Sequence, residues 1–180
     1  MAKKYLEIKR LVLNDLAEVL KYDNIKGAFD IIGNDIEDKN LFYNFLVEIL
    51  EINPLSDYKD IPKNFFTGIE IEKVVIPDNI RSLEPGCFAN SKVQMVEFQT
   101  KSVTEIPEHC FEGSKNLVNV TLPSSITYLG ENAFNGCSNK LLIYTPAEAV
   151  SKGFSFYMPS DPDAAERERL FMRQHLKLVK

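Results

Sequence analysis

Apolar residues fall at helical spacing early in this chain, at alternating positions in its middle, and at helical spacing again near its end. Leu41, Phe42, Phe45, Leu46, Ile49 and Leu50 recur at steps of one, three and four, which predicts an amphipathic helix opened by Asp38. Two shorter segments precede it. Asp15-Leu16-Ala17-Glu18 reads as a capping box, with the Asp15 carboxylate accepting a backbone N–H and Glu18 reaching back, and Leu16, Val19 and Leu20 give that helix one apolar side. Asn24 is placed to cap a second helix, Ile25 to Ile32, which Gly33 stops. Lys3 to Leu13 fits a helix better than a strand, and Asn53-Pro54-Leu55-Ser56-Asp57 is a breaker-rich link.

From residue 60 the period becomes two. Lys73-Val74-Val75-Ile76, Met95-Val96-Glu97-Phe98, Asn119-Val120-Thr121-Leu122 and Leu142-Ile143-Tyr144-Thr145 read as short strands. Each follows a phrase anchored on a phenylalanine, and Phe66, Phe88, Phe111 and Phe134 stand 22, 23 and 23 residues apart. Five positions before them come Ile61, Leu83, Ile106 and Leu129, and two positions after come Gly68, Asn90, Gly113 and Gly136. Gly and Asn tolerate a left-handed backbone, so this slot marks an obligatory turn. Pro77, Pro123 and Pro146 follow three of the strands, with Gln99 in the second copy. A fixed period in the twenties predicts a solenoid, in which no single repeat can bury its own apolar face. Strand alternation then predicts two inward rows: Val74, Val96, Val120 and Ile143, and beside them Ile76, Phe98, Leu122 and Thr145. Ile80, Val103 and Ile126 carry the next apolar contact.

The third copy, with Ile106, Cys110, Phe111, Gly113, Leu117, Val120, Leu122, Pro123 and Ile126 in their slots, resembles the BspA-type leucine-rich repeat. Leu129-Gly130-Glu131-Asn132-Ala133-Phe134-Asn135-Gly136 resembles the commonest wording of that family. The resemblance covers about residues 60–146, with Phe65 in a small-residue slot, Gln99 for a proline and Thr145 in a core row as departures. It implies an α+β chain: a short leucine-rich-repeat solenoid of about four repeats, with an N-terminal helical cap and a C-terminal helix. The expected division is a helical N-terminal domain or cap at 1–56, the solenoid at 57–146, and a C-terminal cap with an amphipathic helix at 147–180. Members of the family are often secreted surface proteins that bind host or matrix proteins.

After Pro146, Ala147 to Lys152 reads as a helical turn ended by Gly153, and Ser160-Asp161-Pro162-Asp163 opens a final helix with proline at its first position. Arg169, Arg173, Lys177 and Lys180 then follow with no acid among them, which suits the C-terminal end of a helix dipole. Leu170, Phe171, Leu176, Leu178 and Val179 are apolar on it.

Composition narrows the function classes. A formal charge of −5 over 180 residues does not favour nonspecific attraction to nucleic acid or to anionic membranes. No apolar run has the length of a membrane span, and charges interrupt every apolar stretch of the N-terminus, so no secretory signal is expected. The expected location is therefore the cytoplasm or an assembled particle. Cys87, Cys110 and Cys137 form no metal or disulfide spacing; the first two share one slot in neighbouring repeats and read as stacked buried thiols, with a redox pair as the other reading.

A solenoid presents a surface, and the outward strand positions define it: Lys73, Met95, Asn119 and Leu142 in one column, Val75, Glu97, Thr121 and Tyr144 in the next. Core packing does not account for Met95, Leu142, Val75 and Tyr144, so the face either binds a protein partner, including other subunits of a larger assembly, or lies under the N-terminal helices or the C-terminal segment. Leu16 to Ile32 supplies an alternative. It has the look of a helix-turn-helix and resembles the start of phage antirepressor domains, which implies a DNA-binding regulator. Its second helix offers only Lys26 as a cation, and residues 1–60 carry 8 basic against 12 acidic side chains, which argues against phosphate contact. His109 and His175 lie in no catalytic phrase, so an enzyme is not expected, and no catalytic, cofactor or metal residue is assigned.

Overall fold

A computed structural model describes residues 25–32, 35–48 and 53–179. The expected capping box at Asp15, the segment Lys3 to Leu13, the Asn24 cap and the positions Gly33, Ile49 and Leu50 lie outside the described residues. The chain divides into two compact units, Met1–Tyr58 and Lys59–Lys180.

In the first unit, helix α1 spans Ile25–Ile32 and helix α2 spans Ile36–Glu48. The second helix starts two residues before the expected Asp38. The cap is Asp35, whose Oδ1 accepts the N–H of Asp38 at 2.9 Å and so satisfies one of the orphan donors of the first turn. Phe29 meets Phe42 edge-on at 5.0 Å, and Ala28, Phe29, Tyr43, Leu46, Leu55 and Tyr58 are buried. Lys26 stands 5.9 Å from the centre of the Tyr58 ring, within reach of its negative face.

The second unit is a solenoid. Its rungs pair a two-residue strand with a longer one: β1 (Asp60–Ile61) with β2 (Lys73–Ile76), β3 (Ser82–Leu83) with β4 (Met95–Phe98), β5 (Glu105–Ile106) with β6 (Asn119–Thr121), and β7 (Tyr128–Leu129) with β8 (Leu142–Pro146). The long strands make one parallel sheet, and the short ones make a second wall of two separate parallel sheets, with no strand pairing between β3 and β5. Register runs without a slip: Val74 faces Val96, Val96 faces Val120, and Val120 faces Ile143. Both expected inward rows are buried, because a residue on the core side of one strand stacks on its counterpart one rung, about 4.8 Å, away. Strand β8 extends one residue beyond expectation, through Pro146, while Gln99, which has the N–H that a proline lacks, donates it to the Ile76 carbonyl at 2.9 Å.

The corners between the walls are as ordered as the strands. Phe66, Phe88, Phe111 and Phe134 stack ring on ring with centroids 4.2, 4.8 and 5.2 Å apart. Each ring is buried, an exchange with water of about 1.5–3 kcal/mol per side chain. Their amides ladder too: the N–H groups of Phe66, Phe88 and Phe111 donate to the carbonyls of Cys87, Cys110 and Ala133 one rung on, at 2.9, 2.9 and 2.8 Å. The anticipated left-handed turn at Gly68, Asn90, Gly113 and Gly136 is present, with φ between 55° and 74°. A second such turn lies two positions before each Phe, at Asn64, Gly86, His109 and Asn132, with φ between 53° and 70°. Two left-handed residues per rung reverse the chain about the ring between them.

A polar column lies inside the same corner. Ser91 and Ser114 are buried with their hydroxyls 3.1 Å apart, Ser114 Oγ donates to the Phe88 carbonyl at 2.7 Å, and Cys137 Sγ donates to the Phe111 carbonyl at 3.0 Å. The same slot thus serves the same kind of acceptor on successive rungs, which keeps buried hydroxyls satisfied.

The C-terminal segment differs most from expectation. Helix α3 (Ala147–Ser151) and strand β9 (Ser155–Phe156) come first, and β9 joins the second wall beside β7. The final helix α4 (Pro162–His175) has the expected opening, with Asp161 Oδ2 accepting the Ala164 N–H at 2.7 Å. It ends at His175, and Leu176–Val179 leave it as strand β10, paired in parallel with β8. Helix could not continue because the Leu176 backbone is extended (φ −75°, ψ 128°), and the alternating Leu176-Lys177-Leu178-Val179 suits a strand. Strands β9 and β10 therefore form a fifth rung in which α4 takes the place of the Phe corner. His175 fastens the junction: its ring is buried and Nδ1–H donates to the Leu141 carbonyl at 2.7 Å.

Two substitutions test this packing. Thr145 is buried in an inward row and its Oγ1 has no hydrogen-bond partner, so Thr145→Val is expected to raise unfolding stability by about 1 kcal/mol, read by urea denaturation. A Cβ at Gly130 would sit 2.6 Å from the Glu108 backbone nitrogen, so Gly130→Ala is expected to lower stability by about 1–3 kcal/mol in the same assay.

Candidate binding face

The outward positions of the long strands assemble as two columns. Lys73, Met95, Asn119 and Leu142 are in register on successive strands, and so are Val75, Glu97, Thr121 and Tyr144. Lys73 is exposed and the other seven are half-buried, as expected of side chains flanked by neighbours on adjacent rungs. Strand alternation sends them away from the inward rows. The face is graded along the stack. At its first end the Lys73 ammonium meets the Glu97 carboxylate one rung away at 2.6 Å; in the centre stand Asn119 and Thr121; at the last covered rung stand Leu142 and Tyr144. A half-exposed ion pair of that kind contributes only about 0.2–1 kcal/mol, so neither Lys73 nor Glu97 is held there by a strong bond.

The C-terminal segment does not lie across this sheet. Strand β10 prolongs it at one edge and puts Lys177 beside Tyr144. Helix α4 turns to the Phe134 corner, where a concavity of about 380 Å³ separates them, lined by Asn132, Asn135, Arg167, Glu168 and Phe171 among others. Burial raises the Glu168 carboxyl above its ordinary range.

Other candidate residues take structural places. Cys87 and Cys110 are buried free thiols with their sulfurs 3.6 Å apart on neighbouring rungs. Burial, then the neighbouring Cys87, raises the Cys110 thiol well above its ordinary value, and burial pushes Cys137 up to about 12. His109 occupies the second left-handed slot, with Nδ1 2.8 Å from Glu112 Oε2, and Asn135 Nδ2 donates to Glu112 Oε1 at 3.0 Å. Its company of Asn64, Gly86 and Asn132 was the available signal for that turn, since those residue types share tolerance of positive φ rather than any chemistry. In α1, Lys26 pairs with Asp30 at 3.1 Å, which engages the one cation of the supposed recognition helix; residues 15–24 of that reading lie outside the described residues. Among the described residues no helix is long and apolar enough to cross a membrane.

Residues 35–155 match the family model described as the BspA type leucine rich repeat region, six copies. The chain belongs to the BspA-type leucine-rich repeat family. The match begins upstream of the first strand and takes in α2, and it closes at β9. No curated protein and no solved structure matches the chain at a significant level. Leucine-rich repeats generally mediate protein–protein interaction.

Because thiolate is the reactive form and burial disfavours it, none of Cys87, Cys110 and Cys137 is expected to react quickly with a disulfide reagent in the native chain. All three should react in guanidinium, counted by the released chromophore; a fast native thiol would contradict the packing described.

Proposed function

We propose that this protein is a non-enzymatic interaction module that presents the outer face of its main sheet to a protein partner. The observation that supports the reading is the composition of two in-register columns. Met95, Leu142, Val75 and Tyr144 are apolar or amphipathic residues on the side of the strands that faces away from the core, interleaved with Lys73, Glu97, Asn119 and Thr121. An apolar centre with polar groups at fixed spacing is the makeup of a recognition surface. Rigidity supports the reading further. Every residue of the face sits on a strand bonded on both sides or on the first strand of the ladder, so little conformational entropy is lost when a partner docks.

The same architecture suits a subunit of a larger assembly, because a rigid block with a flat, patterned wall docks the same way on a single partner or on neighbours in a particle. The residues expected to dominate are Met95, Leu142 and Tyr144, since large side chains that become desolvated carry most of the energy of an interface. Glu97 and Lys73 are expected to set orientation and the rate of encounter.

Replacing Met95, Glu97, Thr121 and Tyr144 together, by Ser, Gln, Ala and Ser, is expected to abolish capture of a protein partner by the immobilised chain. Circular dichroism and the thermal midpoint should remain close to those of the wild type, because the replaced side chains leave both inward rows intact. Undiminished capture by the folded variant would refute the assignment of this face.

A further inference from the structure

We propose that β10 is a docking edge for an acidic, extended segment of a partner protein, which adds to the main sheet as a sixth strand. This surface is distinct from the two columns above and does not depend on them.

Three observations carry the proposal. The first is an open ladder. Strand β10 is the terminal strand of the parallel order β10-β8-β6-β4-β2, and among the described residues its only strand neighbour is β8. In a parallel strand the backbone N–H and C=O groups alternate between the two sides, so the outer side of Leu176–Val179 presents a template for another strand. The second is an unfinished core row. Leu178 is in register with Thr145 and so continues the row of Ile76, Phe98 and Leu122, each of which is at most 7% exposed. Leu178 itself is 64% exposed, the largest value among the exposed large hydrophobic residues described. An apolar side chain on an added strand would cover it as each rung covers the one before.

The third is charge. From Arg169 to Lys180 there are four cations and no acid. Arg169 pairs with Glu166 at 3.5 Å, while Arg173 and Lys177 are exposed and have no carboxylate partner among the described residues. Lys177 lies in register with Tyr144 on the outward side, and an acid at an outward position of the next strand would be within its reach, as Glu97, in register with Val75, reaches Lys73 from one strand away at the opposite end. The segment that fits is therefore extended, with an acidic residue facing Lys177 and an apolar one over Leu178. A second copy of this chain fits poorly, since pairing β10 with β10 brings two basic edges together, and like charges across a strand pair are destabilising. Strand addition of this kind draws its affinity from the main chain and its specificity from alternate side chains.

The test uses the full chain and a short fluorescent peptide that alternates Glu and Val. Saturable binding by anisotropy is expected, weakened about tenfold or more by Lys177→Glu and by raising salt to about 0.5 M. Hydrogen exchange should show new protection at Leu176–Val179 in the complex. A peptide alternating Lys and Val should prefer the Lys177→Glu protein, whose exposed substitution leaves the fold intact. Absence of saturable binding, equal affinity for the variant, or protection elsewhere in the chain would overturn the proposal. So would sedimentation showing that the free protein already self-associates through this edge.

Discussion

The stacked phenylalanine column governs this molecule. A ring can lie flat on the ring of the next rung only if the rungs advance by about one strand spacing and without rotation between them. That condition fixes the corner, and the corner fixes the phase of the strands that leave it. The two left-handed residues that flank each ring are the backbone's part of the same arrangement, since they turn the chain into and out of the corner while leaving the Phe amide free to bond to the rung beyond. Aromatic stacking adds about 0.5–1.5 kcal/mol per pair beyond burial, and the pairs are cooperative because no rung can shift alone.

From this constraint the rest follows in order. The rings set the register, the register lines up the inward rows, and the alternation that buries those rows also aligns an outer face that the core does not require. A surface built this way is a by-product of packing until its composition says otherwise. The outward columns pass from a charge pair through amides and hydroxyls to leucine and tyrosine, and it is on this composition that the proposed interaction face rests. The fifth rung completes the logic at the C-terminal end. A helix stands in for the missing ring, His175 ties it to the fourth rung, and the final strand, whose only strand neighbour among the described residues is β8, lies in a stretch whose charges are all basic.

Much of this was legible from spacing alone. The Phe interval, the following Gly or Asn and the alternating runs specify strands, inward rows and outward columns, because a period-two pattern repeated at a fixed interval admits few other arrangements. What spacing did not reveal has physical reasons. The second left-handed slot holds Asn64, Gly86, His109 and Asn132, and a histidine, which tolerates positive φ less readily than Gly or Asn, masks the backbone requirement that the four share. At the start of α2, Asp35 and Asp38 are both suited by residue type to cap the helix, and it is the Asp35 side chain that accepts an orphan N–H. The tail lacks a strand signature of its own because four residues are too few to set a period; pairing with the edge of β8 decides its conformation. The register of the outward columns follows from strand alternation, whereas a binding partner is a property of another molecule and leaves no spacing in this chain.

The unequal intervals of the repeat carry one more consequence. From Phe to strand start the chain takes 7 residues in the first two rungs and 8 in the next two, and from strand start to the next Phe it takes 15, 16 and 15. The longer intervals thus fall in three loops, after β4, before β6 and before β8, yet Met95 still faces Asn119 and Asn119 still faces Leu142. Length is therefore counted only between ring and strand ends that touch, and the loops between are slack. Such a stack works as a ruler with hard marks and elastic gaps, so new sequence can be housed at those loops without displacing the marks on either side.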